Sequence, residues 1–355
     1  MIQRTACLLA RCDDPYHNLA VEKHLMDTLP ESTAILYLWQ NQRVISFGRN
    51  QNPWRECRVD DFLRSGGRLV RRLSGGGLMY HDLGVLNFSF ILPKSDLDVR
   101  KQLSVVLMAV GAFGIRAELS GRNNLQSAGC KFNENAFYKA GHSAYHHGTL
   151  LWNVDMDDME RYLAPSDEET FSQGTGPERV RMINLRNVCK DMTLAGIRES
   201  LYNAFTYVYG FEPIMLDESM LDSYTIARLT EGLKSEDWLY PATHPYTFAV
   251  EERFPWGTVT VKLLQEGGFI RQAKIFTDAM EAGLFIRLEQ ALNGAPYLIS
   301  AVNSRFTQKM EMLMDHTLLQ MSQDVCALIC GKMRAMDRAN GQSVKDTEKG
   351  LPNEI

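Results

Sequence analysis

The sequence lacks any run of about 18 apolar residues, the length that a helix needs to cross a bilayer. We therefore expect no membrane span and no membrane partner. It also lacks an excess of basic residues, since 38 lysines and arginines stand against 43 acidic residues, with a net charge of −5. Nonspecific nucleic-acid binding depends on such an excess, so nucleic acid is not an expected partner.

Metal-binding and disulfide patterns are also missing. The seven cysteines are scattered through the chain, and no two of them form a CxxC pair. Neither a zinc site nor a disulfide framework is indicated. His146 and His147 are adjacent and would point to opposite faces of a strand, so we expect no metal site there. The N-terminal residues do not resemble a signal peptide, and a cytoplasmic location is expected.

Two common nucleotide-binding motifs are absent as well, because neither GxxxxGK[ST] nor GxGxxG occurs. The chain does contain VRRLSGGGLMYHDLGVLNFSF, from Val70 to Phe90. Glycine runs let backbone N–H groups turn toward an anion, and neighbouring arginines add charge-assisted donors. A tight hairpin turn with surface arginines is the alternative interpretation. The two arginines, serine, histidine and aspartate that flank the glycines within 71–82 favour an anion-binding loop.

Three further polar clusters extend this picture. Asparagine-rich turns lie at 49–52 and 121–124, and each alone is explained as a simple turn. Lys131 begins a strand that is otherwise apolar, although a lysine is usually a solvated surface charge. Together the clusters suit a ligand with a polyphosphate at one end and an apolar portion at the other. No convincing Ser–His–Asp spacing occurs, and Ser74 lacks the context of a nucleophile elbow.

The length of 355 residues predicts two domains. Hairpins alternate with helices, which predicts an α+β fold with an antiparallel or mixed sheet. We predict one hairpin from Ala34–Trp39 and Val44–Phe47, and one long amphipathic helix over Phe306–Met336. Prolines and aromatic residues near 235–248 mark the boundary. The predicted divisions are a catalytic domain at 1–243, an accessory domain at 248–337 and a flexible tail at 338–355.

The motifs resemble those of lipoate–protein ligases, in the biotin/lipoate ligase superfamily. RRLSGGGLMYHDLGVLNFSF is similar to the family's glycine-rich motif, and KFNENAFYKAGHSAYHHGTLLWNVD to the segment with its essential lysine. Other motifs appear in the family's order: PYHNLAVEKHL, VISFGRNQNPWRE, GRNNL, RVRMINL and PYTFAVEERFPWGTVTV. The resemblance covers roughly residues 13 to 335. It implies a class-II-synthetase-like catalytic domain of the biotin/lipoate ligase type, with a small α/β C-terminal accessory domain.

The resemblance also implies an ATP-dependent reaction in two steps. Lipoate attacks the α-phosphate of ATP and gives lipoyl-AMP and pyrophosphate, with Mg²⁺ bridging phosphate oxygens. A lysine of an acceptor protein then attacks the mixed anhydride and forms an amide. The implied acceptors are lipoyl domains of 2-oxoacid dehydrogenase E2 subunits and the glycine-cleavage H protein.

A set of site residues follows from the same resemblance. Lys131 matches the lysine that holds both the lipoyl carbonyl end and the α-phosphate, and it is the expected catalytic residue. Arg72 and the turn 77–80 match ATP-contacting positions. No metal ligand is assigned. The expected ATP- and lipoate-binding residues are Arg72, Ser74, Gly75, Gly76, Gly77, Leu78, Met79, Tyr80, His81, Asn123, Asn124 and Lys131.

The chain departs from the family pattern near the lysine. Asn133 and Glu134 replace a serine and a glycine, and Asn124 replaces an aspartate that could help to bind Mg²⁺ or adenine. These departures keep open a non-catalytic paralogue that binds lipoyl-AMP or a lipoyl domain. A second alternative is an octanoyl or lipoyl carrier-protein transferase that works through a cysteine, for which Cys130 is the candidate.

Overall fold

The computed structural model describes residues 1–120, 124–163, 181–240, 246–311 and 313–339. The chain divides into two compact units. The first contains residues 1–242 together with the short segment 278–283, and the second contains the rest of the chain from 243 onward. Among the described helices, none combines the length and the apolar character that crossing a bilayer requires.

The first unit alternates short strands and helices. Its 3₁₀ helices are Pro53–Arg55, Lys94–Asp96 and Glu218–Met220. In chain order its other elements are β1 (Arg4–Leu9), α1 (Pro15–Asp27), β2 (Thr33–Trp39), β3 (Val44–Phe47), α2 (Val59–Arg64), β4 (Arg68–Arg71), β5 (Leu78–His81), β6 (Val85–Pro93), α3 (Val99–Gly111), β7 (Glu118–Ser120), β8 (Asn124–Ser127), β9 (Cys130–Lys131), β10 (Asn133–Ala140), β11 (Ser143–Leu151), α4 (Met156–Tyr162), α5 (Leu185–Val188), α6 (Leu194–Tyr209), β12 (Ile214–Leu216), α7 (Ser223–Lys234) and α8 (Glu236–Leu239).

A six-stranded mixed sheet, in the order β10-β11-β6-β2-β1-β12, forms the centre of this unit. Neighbouring strands pair antiparallel from β10 to β2, whereas β1 runs parallel to β2 and to β12. Helices α3 and α6 pack against one face, where Phe88, Phe90 and Phe205 are fully buried. Helices α1 and α7 belong to the core on the other face, around Leu25 and Ile226. Burial on both faces explains why every residue of β2 and β11 is buried.

Local sequence signals set the ends of the covering helices. The Asp14 side chain accepts hydrogen bonds from the N–H groups of Tyr16 and His17, and Pro15 occupies the first position of α1. Thr193 caps α6, which ends at Gly210 in the left-handed conformation, with φ 76°. The capping side chains therefore accept hydrogen bonds from the free backbone N–H groups at the start of each helix, while the apolar faces pack on the sheet.

Two smaller sheets in the first unit carry the sequence-predicted site residues. In the sheet β4-β3-β5, strand β3 runs parallel to β4 and antiparallel to β5, so the glycine loop 72–77 joins the two edge strands past the end of β3. Gly48, just after β3, lies so close that a Cβ atom there would stand 2.1 Å from Gly76 O. Gly76 has φ 91°, which favours glycine. The sheet β7-β8-β9 ends at Lys131.

The described residues of the second unit form a three-stranded antiparallel sheet and three helices. The core of the unit includes the fully buried Val259, Val261, Ile275, Phe285 and Phe306. Its elements are β13 (Phe248–Phe254), β14 (Gly257–Glu266), β15 (Phe269–Thr277), α9 (Ala282–Leu292), α10 (Ile299–Met310) and α11 (His316–Ala339). The predicted α+β architecture with a small C-terminal domain is therefore confirmed, while most of the predicted tail lies outside the described residues.

The predicted hairpin between β2 and β3 is wrong. Strand β2 pairs with β1 and β6, whereas β3 pairs with β4 and β5 in another sheet. The short link between them is held by Asn18 of α1, whose side-chain amide donates to Gln40 O and to Asn41 Oδ1. Alternating apolar residues and a short link allowed the hairpin, but each strand pairs with other strands in its own sheet, and Asn18 of α1 fixes the link between them.

The single long helix predicted over Phe306–Met336 is also wrong, because the structure has two helices there. α10 ends at Met310 and α11 begins at His316. The Asp315 carboxylate accepts hydrogen bonds from the N–H groups of Thr317 and Leu318, which starts a new helix. Apolar periodicity continued across this break, so the capping aspartate was the better signal.

Candidate functional site

A cavity of about 250 Å³, including its open mouth, lies between one face of the six-stranded sheet and the sheet β4-β3-β5. Part of its wall is apolar, formed by Trp39, Met79 and Ala136. The other lining residues are polar or glycine: Arg72, His81, Asn87, Glu134, His147, Gly148 and Thr149. The cavity therefore offers both an apolar surface and a charged one to a ligand.

Strand register explains how distant residues meet at this cavity. Glu134 of β10 is paired with Thr149 of β11, which is paired with Asn87 of β6 and, across it, with Trp39 of β2. Directly paired residues project to the same face of a sheet, so these four side chains form one row of the floor. Apolar neighbours of these residues point to the hydrophobic core on the other face: Leu38, Leu86, Phe88 and Leu150. The prediction that adjacent histidines face opposite ways is confirmed, because His146 packs against Phe88 and Phe90 while its neighbour lines the cavity.

Arg72 organises the glycine loop from the inside. Its side chain is 3% exposed and donates hydrogen bonds to Gly75 O at 3.1 Å, to Gly77 O at 2.9 Å and to Ser46 Oγ at 3.1 Å. Burial lowers the pKa of Arg72 to about 10, an effect that the nearby Glu134 carboxylate opposes. The guanidinium therefore stays charged at neutral pH, and it places a fixed positive charge on the cavity wall.

A buried hydrogen-bonded chain connects α1 to the glycine loop. Glu22 Oε1 accepts from His147 Nδ1 at 2.9 Å, and His147 Nε2 lies 2.9 Å from Ser74 Oγ. Ser89 Oγ also donates to Glu22 and in turn accepts from the Trp39 indole. This is a serine–histidine–carboxylate arrangement that no spacing in the sequence predicted. Ser74 is fully buried and does not line the cavity, so the chain positions the cavity wall and does not provide a nucleophile.

His81 presents a free N–H group to the cavity. Because Asn41 Oδ1 accepts from Asn18, the Asn41 amide nitrogen faces His81 Nδ1 and donates to it at 3.1 Å. The proton of the neutral ring is then on Nε2, for which the described residues offer no hydrogen-bond partner. Burial, with a smaller contribution from Arg72, lowers the pKa of His81 to about 3. A neutral donor that is buried beside a cavity is suited to bind a ligand oxygen.

Lys131 does not itself line the cavity but is ion-paired with a residue that does. Its Nζ lies 2.9 Å from Glu134 Oε1, and the side chains are 16% and 29% exposed. The Lys131 backbone is fixed by two hydrogen bonds, from its N–H to Arg181 O and from Ile183 N–H to its carbonyl. A rigid backbone therefore carries this cation at the edge of the cavity.

Several predicted residues have other surroundings. Met79 and His81 line the cavity, but alternation along β5 turns Leu78 and Tyr80 into the core with Phe62. Only the backbone of those two residues is available to a ligand. Asn124 begins β8 in the small sheet beside Lys131, and Asn123 lies outside the described residues.

The neighbouring Arg71 and the 49–52 turn have structural partners. Arg71 donates to the carbonyl oxygens of Arg49, Gln51, Trp238 and Leu239, so it joins the turn to α8. The Asn50 amide donates to Ala282 O. Arg71 therefore uses its donors on the protein itself, although its position beside the glycines suggested an anion.

Three wall or support residues were not predicted from the sequence: Glu22, Trp39 and Asn87. A signal for each existed. Glu22 stands among Leu19 and Met26 on the buried face of α1, and Asn87 alternates with apolar residues in a central strand. Buried polar side chains in such positions need partners, and they often mark a site.

The buried histidines make the stability of the fold depend on pH. Burial, and to a lesser extent His147, lowers the pKa of His146 to about 3. Below about pH 6.5 the His146 imidazole is protonated in the unfolded chain but stays neutral in the folded chain. The free energy of unfolding therefore falls as the pH falls toward the folded pKa. We expect His146→Gln to reduce the pH dependence of the free energy of unfolding by about 1.4 kcal/mol per pH unit between about pH 6 and about pH 4. Urea denaturation across this range measures it.

His142→Gln is the control for this experiment, because His142 is exposed in the turn of the same hairpin. That variant should keep the wild-type pH dependence. An unchanged slope in His146→Gln would contradict the assignment of a buried, neutral ring.

The same chain matches known protein families. The family model for the lipoyl protein ligase A/B catalytic domain matches residues 14–206, and that for the bacterial lipoate protein ligase C-terminus matches residues 243–322. Lipoate-protein ligase A of Psychrobacter cryohalolentis is 32% identical over 303 residues, which cover 83% of this chain and 89% of the relative. These matches have the length and similarity expected between members of one family.

Solved structures agree in fold. The crystal structure of P. falciparum LipL1 in complex with lipoate has a TM-score of 0.81 at 24% identity, covering 92% of this chain and 99% of that one. A lipoate-protein ligase A bound with ATP has a TM-score of 0.55 at 21% identity, covering 67% and 98%. The fold is therefore that of a ligase catalytic domain followed by a smaller C-terminal domain. The chain belongs to the lipoate–protein ligase family.

Proposed function

We propose that this protein is an ATP-dependent lipoate–protein ligase that works in the cytoplasm. The observation that carries the proposal is the cavity itself, with Trp39, Met79 and Ala136 on its apolar wall and Arg72 and His81 as donors beside them. The apolar wall suits the dithiolane and aliphatic chain of lipoate. The donors and the adjacent Lys131 suit a carboxylate that becomes an acyl phosphate.

In the first step a lipoate carboxylate oxygen attacks the α-phosphorus of ATP, and pyrophosphate leaves with the electrons of the broken P–O bond. Negative charge on the phosphate oxygens increases in the transition state. Fixed cations and N–H groups that point at this charge lower the barrier, because they need no reorganisation. We assign that role to Lys131, to the Arg72 charge and to the His81 N–H group.

Mg²⁺ is expected to enter with the nucleotide. Within the described residues, no three His, Cys, Asp or Glu side chains cluster so that they could hold a metal ion. Mg²⁺ commonly keeps several waters and binds through substrate phosphates, so a protein cage is not needed. We assign no residue of this chain to the ion.

The proposed second step transfers the lipoyl group to a lysine of a lipoyl domain of a 2-oxoacid dehydrogenase E2 subunit or of the glycine-cleavage H protein. The lysine nitrogen attacks the acyl carbon, the bond from that carbon to the phosphate oxygen breaks, and AMP leaves. The proposed role of Lys131 here is to stabilise the oxyanion. Lipoate-dependent exchange of pyrophosphate into ATP tests the first step, and amide formation on a purified lipoyl domain tests the second. A purified protein without exchange would exclude the ligase function.

Replacement of Cys130 distinguishes this function from a transferase that uses a cysteine thioester. Cys130 is half-buried on β9 and is not among the residues that line the cavity. We expect Cys130→Ser to keep lipoate-dependent exchange and lipoyl transfer within about twofold of wild type, because the thiol does not line the cavity and the ligase reaction needs no cysteine. Cys189→Ser, at another half-buried cysteine, is the matched control. Selective loss of transfer in Cys130→Ser would favour the thioester route.

The ion pair between Lys131 and Glu134 supports a second candidate, a paralogue that binds lipoyl-AMP without making it. A carboxylate 2.9 Å from Nζ neutralises the cation that adenylation requires. Such a protein would bind lipoyl-AMP but give no exchange at any concentration of lipoate. Equilibrium binding of lipoyl-AMP, measured beside the exchange assay, separates the two functions.

A further inference from the structure

Glu134 places a negative charge in the cavity. A carboxylate there would repel the phosphate groups of the proposed ligand, so its role in a ligase site needs another explanation. Its side chain lines the cavity and is more exposed than that of Lys131. Its backbone is fixed, because its N–H donates to Thr149 Oγ1 at 3.2 Å and its residue pairs with Thr149 across the sheet. The carboxylate is therefore held at the cavity by strand geometry and not by chance placement of a loop.

The ion pair can change partners during the reaction. Nζ of Lys131 has three N–H donors, and among the described residues its hydrogen-bond acceptor is Glu134. When an acyl phosphate binds, its oxygens offer Lys131 a second set of anionic partners. Glu134 then faces the cavity as a carboxylate with a weakened pairing, at the time when the acceptor lysine must enter.

Transfer needs a base for a physical reason. The acceptor lysine has an ordinary pKa of about 10.4, so at neutral pH it arrives as an ammonium ion that cannot attack the acyl carbon. A positioned carboxylate attracts this cation and can accept its proton. Glu134 is the carboxylate that the described structure places on the cavity wall.

We propose that Glu134 binds the ammonium group of the incoming acceptor lysine and acts as its general base in lipoyl transfer, an inference that rests on the proposed function. The ammonium proton passes to the Glu134 carboxylate and on to solvent. The neutral amine attacks the acyl carbon, forming the C–N bond, while Lys131 stabilises the oxyanion. The bond between the acyl carbon and the phosphate oxygen then breaks, and its electron pair leaves with AMP. The second nitrogen proton is released to Glu134 or to the AMP phosphate.

The test measures the two half-reactions separately in Glu134→Gln, which keeps the size of the side chain and removes its charge. Exchange of pyrophosphate reports adenylation, and transfer from synthetic lipoyl-AMP to a lipoyl domain bypasses adenylation. We expect the ratio of transfer rate to exchange rate to fall at least about 100-fold near pH 7, the lower end of what a general base contributes. The transfer rate of the variant should rise with pH toward the lysine pKa of about 10, where the amine loses its proton to solvent.

Glu118→Gln is the matched control, because Glu118 is an exposed glutamate on β7 of the sheet that carries Lys131, and it should keep the wild-type ratio. Glu134→Asp should recover part of the transfer rate. Equal loss of both half-reactions in a folded Glu134→Gln protein would overturn the proposal, since the residue would then position Lys131 for adenylation. Transfer at the wild-type rate with the wild-type pH profile would also overturn it. Wild-type protein that transfers from lipoyl-AMP but shows no exchange would instead contradict only the adenylation half of the proposed function.

Discussion

Lys131→Ala should lower lipoate-dependent pyrophosphate exchange at least about 100-fold, the effect of removing one preorganised donor from a developing negative charge. The fold should survive, because the side chain is 16% exposed and makes one ion pair, to Glu134. Circular dichroism and thermal melting would show a folded protein with little change in Tm. Exchange near the wild-type rate would remove Lys131 from the proposed mechanism.

Two further variants make the result specific. Lys139→Ala removes an exposed lysine from β10 and should keep normal exchange. The double variant Lys131→Ala with Glu134→Ala removes both charges of the ion pair. It should remain inactive, because the missing cation causes the loss. Recovery of exchange in the double variant would mean that the unpaired carboxylate, which repels ATP, had caused the defect.

Arg72→Met should lower both stability and exchange. The substitution removes a buried charge and leaves the carbonyls of Gly75 and Gly77 without their donor. We expect the free energy of unfolding to fall by about 2–6 kcal/mol, since each of the two unsatisfied carbonyls costs about 1–3 kcal/mol. We also expect exchange to fall at least about 100-fold, because the glycine loop loses its shape and the cavity loses a fixed charge. Urea denaturation and the exchange assay measure the two effects.

The control for this variant is Arg68→Met, on the same strand β4 but with a partly exposed side chain. It should change the free energy of unfolding by less than about 0.5 kcal/mol. If Arg72→Met does not fold, Arg72→Lys keeps the charge but lacks the planar fork that reaches both carbonyls. Arg72→Lys with wild-type exchange would contradict a role for the loop geometry.

The sequence predicted elements whose determinants are local. Helix α6 has its own signals, a capping Thr193 and a glycine after its last residue, and the β10–β11 hairpin has a tight turn between its two strands. The pairing of β2 was not readable, because its partners β1 and β6 are separate segments of the chain and no local signal in β2 selects them. Strand β1 was missed for a related reason, since six residues gain strand character only from their parallel neighbours.

The residues of the candidate site also differ in whether the sequence alone could reveal them. Arg72, Met79, His81 and Lys131 could be named because they belong to continuous motifs. The contact between Ser74 and His147 joins residues 73 apart, and that between His147 and Glu22 joins residues 125 apart. No spacing rule reveals such contacts without the register of the sheet. That register also explains why Leu78 and Tyr80, within the same motif, face the core.

The two faces of the β10–β11 hairpin have different roles, because one lines the cavity and the other packs inside the domain. Residues 134, 136, 147 and 149 face the cavity, while Asn135 and His146 form a hydrogen bond on the opposite face. Changes in substrate or acceptor preference can therefore accumulate at every second position without disturbing the residues that fold the domain. Glu134 of this chain occupies one such position on the cavity face of β10. Substitutions on the cavity face of the hairpin can thus change which ligand binds, with little effect on the free energy of unfolding.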